Sequence, residues 1–237
     1  MNLSIVFPMY NEEERIGSTV AALNDFLPNF SHSTKVVFVN DGSKDSTVSV
    51  LEKLDKKFSH EVIAYQENRG KGHALKNGIL RAEGDYIMFM DVDMSTPLSE
   101  LYKFLPYIEQ DVPVIIGSRK TKGAAVLKHQ HPWRQRLGEG FTKLSNILLL
   151  QNITDFTCGF KAFRKDAAKK VFAVQKINRW GYDSEVLFLA NKYGYKIQEV
   201  PVTWSNDART KVNLYKDVPR SLTDLGRIRY YDITNKY

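Results

Sequence analysis

Asp91 and Asp93 stand one valine apart, directly after the apolar run Tyr86-Ile87-Met88-Phe89-Met90 and before a Ser95-Thr96-Pro97 break. In extended chain, residues i and i+2 project to the same side, about 6–7 Å apart at Cα. Two hard carboxylate ligands so placed can hold Mg2+ or Mn2+ and leave positions for water and a substrate phosphate. A divalent ion there would neutralise a diphosphate leaving group. The bland alternative is that the two acids cap the helix that follows Pro97.

Other stretches carry groups of similar use. Asp41-Gly42-Ser43 ends an apolar run, and Asp41 could accept hydrogen bonds from a nucleobase edge or a ribose, or serve only in a turn. Asp45 or Ser46 is placed to cap the helix after it. Pro8 ends the first apolar run, Asn11 can cap, and Glu12, Glu13 and Glu14 suit the start of a helix. Gly70-Lys71-Gly72 is neither a dinucleotide fingerprint nor a P-loop, yet Lys71 at a helix N-terminus can meet a phosphate or a base. None of the five histidines has a partner at metal-ligand spacing, and Cys158 is the only cysteine. That excludes an intrachain disulfide and a cysteine-rich zinc site, and it agrees with a reducing compartment.

The elements that must hold these groups are legible as an α/β alternation. Runs at 3–7, 35–40, 61–65, 85–90 and 113–118 are near-continuously apolar, as strands buried on both faces of a parallel sheet are. Between them, 12–27, 45–58 and 72–82 have helical apolar stripes, and another helix begins near Pro97. Such sheets bind ligands outside the carboxyl ends of their strands, where each group named above lies. The second half reads as a loop at 119–133, a helix around 136–151, a strand or hairpin at 155–164, a helix at 183–193, a strand at 196–204 and a helix at 217–230.

At 237 residues and 43% hydrophobic content the chain supports one sizeable core, so the expectation is one unit over 1–237 with halves at 1–118 and 119–237. The net charge of +7 favours an anionic partner, and the bases concentrate in the second half, from Arg119 to Lys170. Nucleic acid is disfavoured, because these bases are not interleaved with an aromatic stacking platform. No run approaches the roughly 20 apolar residues of a membrane span, and the N-terminus is not signal-like. The expectation is a cytoplasmic protein, peripheral on a membrane face if its acceptor is a lipid.

Taken jointly, the motifs are recognisable. Pro8-x-Tyr10-Asn11-Glu12, Asn40-Asp41-Gly42-Ser43-x-Asp45-x-Thr47, Asn68-x-Gly70-Lys71-Gly72-x-Ala74, Asp91-Val92-Asp93 and Gly117-Ser118-Arg119 resemble the inverting family 2 glycosyltransferases of the GT-A fold. The runs 155–161, 179–187 and 199–204, with Thr210-Lys211-Val212 beyond, are similar to the dolichyl-phosphate glucosyltransferase and mannosyltransferase branch. The resemblance implies a Rossmann-like nucleotide-sugar-binding half at 1–118 and a less regular acceptor side at 119–237. It places Pro8, Tyr10, Glu12, Asp41 and Lys71 around the nucleotide, and Asp91 and Asp93 on metal and diphosphate. Arg119 would face the donor or acceptor phosphate, and Arg134 or Arg136, Arg209 and Lys211 would hold the acceptor phosphate.

The implied reaction moves a hexose from a UDP- or GDP-sugar to a polyprenyl phosphate with Mg2+ or Mn2+. Ser95-Thr96-Pro97 leans toward glucose, with mannose next, while Phe156 and Thr157 depart from the glucosyl pattern. Transfer to a sugar hydroxyl would require a general base, Asp183 or Glu185. A non-catalytic nucleotide-sugar binder is the other alternative. A lipid acceptor needs a membrane-facing surface, for which Phe141, Leu144, Ile147, Leu148 and Ile153, with Leu149, Leu150 and the basic Arg220, Arg227 and Arg229, are candidates; core packing is the competing role of the leucines.

Overall fold

The computed structural model describes residues 1–149, 151–207, 209 and 214–237. The chain runs β1 (Asn2–Met9), α1 (Ile16–Phe26), β2 (Ser33–Asp41), α2 (Thr47–Lys53), β3 (Ser59–Tyr65), α3 (Lys71–Arg81) and β4 (Tyr86–Phe89). A 3-10 helix at Leu98–Lys103 leads into α4 (Leu105–Glu109), β5 (Val114–Ser118), β6 (Ala125–Lys128) and α5 (Pro132–Leu149). It ends with β7 (Lys161–Arg164), α6 (Lys165–Val174), α7 (Tyr182–Lys192), β8 (Ile197–Pro201), β9 (Thr203–Ser205) and α8 (Leu214–Ile233).

The main sheet has the order β3-β2-β1-β4-β7-β5-β8 and carries helices on both faces. Alternate residues of each inner strand enter opposite cores. Leu3, Ile5, Phe7, Val36 and Phe38 meet Ile16, Val20 and Leu23 of α1 on one side. Val6, Val37, Val39, Ile87 and Phe89 meet Leu75 and Ile79 of α3 and Val171 and Phe172 of α6 on the other. This two-sided burial is why the strands read as unbroken apolar runs. Because β1 pairs with β2 on one side and β4 on the other, the connections diverge there and a crevice opens at the carboxyl ends of β1 and β4.

Several expectations are corrected. The helix expected from residue 12 begins at Ile16, because Asn11 takes a left-handed φ of 54° and a turn precedes the helix. The second helix spans only 47–53. The strand expected over 196–204 breaks at Val202: β8 stays in the main sheet, while β9 forms a two-stranded ribbon with β6, a strand inside the expected loop at 119–133. Of 155–164 only β7 is strand, and it lies antiparallel between β4 and β5. Helix α6, whose buried Ala167, Ala168, Val171 and Phe172 follow a helical spacing, was not expected. The apolar stripe near α5 divides: Leu149 and Ile153 are buried and Phe141 and Leu144 pack on the core, whereas Ile147 and Leu148 are exposed. Leu150 lies outside the described residues. No described helix is long and apolar enough to cross a membrane.

Candidate functional site

The turns that end β1 and β2 are laced together. Asn11 N donates to Ser43 Oγ at 2.9 Å, Lys44 N to Asn11 Oδ1 at 2.8 Å, Glu12 N to Thr47 Oγ1 at 2.7 Å and Ser46 N to Glu13 Oε2 at 2.8 Å. Asn11 therefore ties one turn to the other and does not cap α1. Of the two expected caps, Ser46 occupies the N-cap of α2 without a side-chain cap bond, and Asp45, one residue earlier, accepts the Thr47 N–H at Oδ1 at 3.0 Å. Pro8 lies in β1 opposite Val39, Tyr10 is half-buried beyond it, and the Glu12 carboxylate pairs with Arg15 at 3.2 Å.

Asp41 is buried, and its oxygens accept from Tyr65 Oη at 2.8 Å, Asn68 Nδ2 at 2.9 Å, Arg69 N at 2.9 Å and Gly70 N at 2.8 Å. A carboxylate has about four acceptor positions, so these donors account for the set. In this conformation Asp41 shapes the 68–70 loop that delivers Lys71. Gly70 in that loop has φ 109°, and a Cβ there would lie 2.7 Å from Arg179 Cγ. Only glycine lets the 178–182 segment of the second half approach so closely. That approach brings Trp180 and Tyr182 to the Lys71 ammonium, with ring centroids 5.6 and 5.8 Å away.

Lys71 Nζ sits 2.5 Å from Asp91 Oδ1. Burial alone would lower its pKa, but Asp91, Asp183 and Asp93 outweigh burial and hold it raised. Asp93 accepts the Ser95 N–H at 2.9 Å, through a turn in which Met94 has φ 52°. Burial, and next the negative charge of Asp91, raise the Asp93 pKa. Gly159 lies against this pair, where a Cβ would come within 2.7 Å of the Asp91 carboxyl carbon. Met90, Ser95, Thr96 and Trp204 complete the walls of the small cleft around the two acids. The wider depression beside Asp85 and Tyr86 lies at the opposite end of β4, lined by Arg164 and the Asp111 and Asp166 that it pairs with.

Arg119, expected to face a phosphate, forms a fork with buried Asp155, Nε to Oδ2 and Nη2 to Oδ1 both at 2.7 Å, and donates to Thr157 Oγ1 at 2.8 Å. Its guanidinium carbon stands 5.2 Å from the Trp204 ring centroid, which ties it to the Asp91 cleft. Burial pushes the Asp155 carboxyl up, but Arg119 overrides it and holds the pKa at about 2. Because the folded value lies below the ordinary 3.8, this pair stabilises the protein above pH 4 and the stabilisation is lost as pH falls toward 2. The expected contribution is about 2 kcal/mol, checked by comparing acid unfolding of the wild type and Asp155→Asn; superimposable acid limbs would refute it.

Asp183 is buried, with Oδ1 held at 2.5 Å by the fully buried Lys161, whose Nζ also donates to Cys158 O at 2.7 Å. Glu185 does not face the cleft: it accepts the N–H groups of Lys176 and Ile177 at 2.9 and 2.8 Å and the Tyr237 hydroxyl at 2.8 Å, a structural role. Arg134 is half-buried and Arg136 exposed on α5. Arg209 is exposed and pairs with Asp207 at 2.8 Å, and Lys211 lies outside the described residues.

The structure thus gathers Lys71, Asp91, Asp93 and Asp183 into one charged cluster, with Arg119 linked to it through Trp204. Sequence reasoning met Asp155, Gly159 and Lys161 only within the run 155–161, without a role for any of them, and did not single out Arg15. The signal for Lys161 was a lysine directly after the apolar Phe160 and before Ala162 and Phe163; that for Arg15 was a base directly after three glutamates.

The glycosyl transferase family 2 model matches residues 4–172. A dolichyl-phosphate beta-glucosyltransferase of Drosophila melanogaster is 34% identical over 86% of this chain and 67% of its own. One of Dictyostelium discoideum is 31% identical over 96% of this chain and 74% of its own. Among solved structures, the glucosyl-3-phosphoglycerate synthase of Mycobacterium tuberculosis in complex with Mn2+, UDP-glucose and phosphoglyceric acid aligns with a TM-score of 0.70 at 16% identity, covering 96% of this chain and 79% of that one. The fold is the GT-A fold expected from the motifs, and with a family match over most of its length and relatives of this similarity, the chain belongs to glycosyl transferase family 2.

Proposed function

We propose that the protein transfers glucose from a nucleotide diphosphate sugar to a polyprenyl phosphate of the dolichyl type, with inversion. The observation that carries this reading is the charge arrangement at the end of β4. Two carboxylates with hard oxygen donors face one cleft, burial and mutual repulsion raise the Asp93 pKa, and Lys71 is the cation set directly against Asp91. That donor set fits Mg2+ or Mn2+, and Asp91 and Asp93 would hold the ion. When bound, such an ion neutralises charge on the diphosphate. The relatives named for dolichyl-phosphate glucosylation support the acceptor and the sugar.

In this reading the turns after β1 and β2, with Pro8, Tyr10, Glu12 and the loop that Asp41 shapes, receive the nucleotide. Lys71 adds positive charge beside the diphosphate. A phosphate monoester acceptor is already anionic near neutral pH, so it needs positioning and shielding more than a base. Arg119, Arg134, Arg136, Arg209 and Lys211 would supply that shielding. Asp183 agrees with this economy of bases, since its buried ion pair with Lys161 commits one oxygen to a fixed partner. Trp133, Leu137, Ile147 and Leu148 on α5 are exposed apolar side chains that suit a lipid surface.

The test is thermal unfolding with UDP-glucose and GDP-mannose, with Mn2+ or with chelator, followed by product analysis with added polyprenyl phosphate. Metal-dependent stabilisation by UDP-glucose and a glucosyl lipid product are expected. Equal stabilisation in chelator would overturn the metal-bridged donor, and transfer only to a soluble glycan would overturn the acceptor.

A further inference from the structure

Arg15 occupies the N-cap of α1, on the donor side of the crevice, and its side chain is only 9% exposed. Its guanidinium makes contacts of two kinds. Nη1 donates to Glu12 Oε2 at 3.2 Å, within the turn that ends β1. Nε pairs with Asp207 Oδ2 at 3.2 Å and Nη2 donates to the Arg209 carbonyl, both in the segment after β9. Asp207 in turn accepts from Arg209 three times: from N at 2.8 Å, Nε at 3.1 Å and Nη2 at 2.8 Å. Arg15 therefore fixes Arg209 twice, its backbone directly and its guanidinium through Asp207.

The same helical turn reaches the acidic pair. Thr19, one turn on from Arg15, donates from Oγ1 to Val92 O at 2.6 Å, on the residue between Asp91 and Asp93. One short stretch of α1 thus holds the acids of the donor cleft at one end and the segment carrying Arg209 at the other. A planar guanidinium with donors in fixed directions can bridge Glu12, Asp207 and a carbonyl together, and a lysine ammonium on a flexible stem cannot reproduce that fork.

We propose that Arg15 is a positioning residue for the acceptor phosphate: it registers Arg209 against the donor site by clamping 207 and 209 onto the turn that carries Glu12. The inference rests on the reading of Arg209 as an acceptor-phosphate group. Arg15 itself touches no reacting atom.

The test uses the full chain as Arg15→Lys, Asp207→Asn and the double variant, with polyprenyl phosphate varied at saturating UDP-glucose. Each single variant is expected to raise the acceptor KM about tenfold, with a much smaller change in kcat and with the UDP-glucose thermal shift retained. The double variant should add little to either, because both act on one clamp. A second measurement needs no turnover: trypsin should cleave after Arg209 faster in Arg15→Lys than in the wild type. An unchanged acceptor KM, a loss shared equally by kcat and the donor shift, or equal trypsin rates would overturn the clamp. A wild type that does not glycosylate polyprenyl phosphate would overturn the proposed acceptor instead, and the trypsin comparison would still decide the clamp.

Discussion

Asp93→Asn is expected to abolish turnover while leaving the protein folded and, without metal, at least as heat-stable as the wild type at neutral pH. In the proposed reading Asp93 is one of two hard ligands in the cleft, and losing the charge stabilisation of a bound ion would cost several kcal/mol, or about a thousandfold in rate. The stability sign follows from its surroundings. Burial first, and Asp91 second, raise its pKa, so the folded protein binds that proton more tightly than the unfolded chain does. Stability from this group is therefore lost as pH rises from the ordinary carboxylate value through the raised one. The charged form of Asp93 works against folding, and the isosteric amide removes that repulsion. Product formation and thermal unfolding in chelator check both halves. Residual turnover within tenfold of the wild type, or a midpoint several degrees lower, would contradict the assignment.

That combination, a group that costs stability and is retained in the cleft, explains why this part of the site was legible in the sequence. Asp91 and Asp93 follow a strand whose apolar run is unmistakable, and a parallel strand's carboxyl end is where an α/β sheet presents its ligand groups. Strands β1, β2 and β4 were equally legible, because burial on both faces makes each an apolar run, whereas the edge strand β3 buries only Ile63 and the first two helices are shorter than their apolar stripes suggested. The rest depends on pairings between distant segments. Nothing local in residues 161–164 says that they enter antiparallel between β4 and β5, yet that insertion is what carries Lys161 beneath Asp183. Likewise the Val202 N–H still reaches Ser118 O on β5, but the Thr203 N–H goes to the Glu100 carboxylate and the chain leaves the main sheet there. Asp41 was legible as a candidate by type, but its hydrogen-bond partners come from Tyr65 and the 68–70 loop, which only the folded chain brings to it.

Lys161→Met should produce the largest loss of stability of any single change at the site. The ammonium is fully buried, 2.5 Å from Asp183 Oδ1, 2.7 Å from Cys158 O and 5.4 Å from the centre of the Phe89 ring. Removing it strands a carboxylate in the interior, which typically costs about 3–5 kcal/mol, or of order 10 °C in Tm for a chain of this size. The companion variant separates charge from packing. Replacing a whole buried ion pair with neutral groups is often tolerated, so Lys161→Met combined with Asp183→Asn should recover most of the lost stability. Turnover should not return with it, because Asp183 also helps hold the Lys71 pKa raised, and Lys71 is the cation set against Asp91. Denaturant unfolding and product formation on the three proteins decide the matter. A single variant that loses less than about 1 kcal/mol would mean the pair is not a buried charge pair in solution. A double variant as unstable as the single would place the cost in packing around Phe89 and Cys158, and a double variant with restored turnover would remove Asp183 from the charge chain that ends at Asp91.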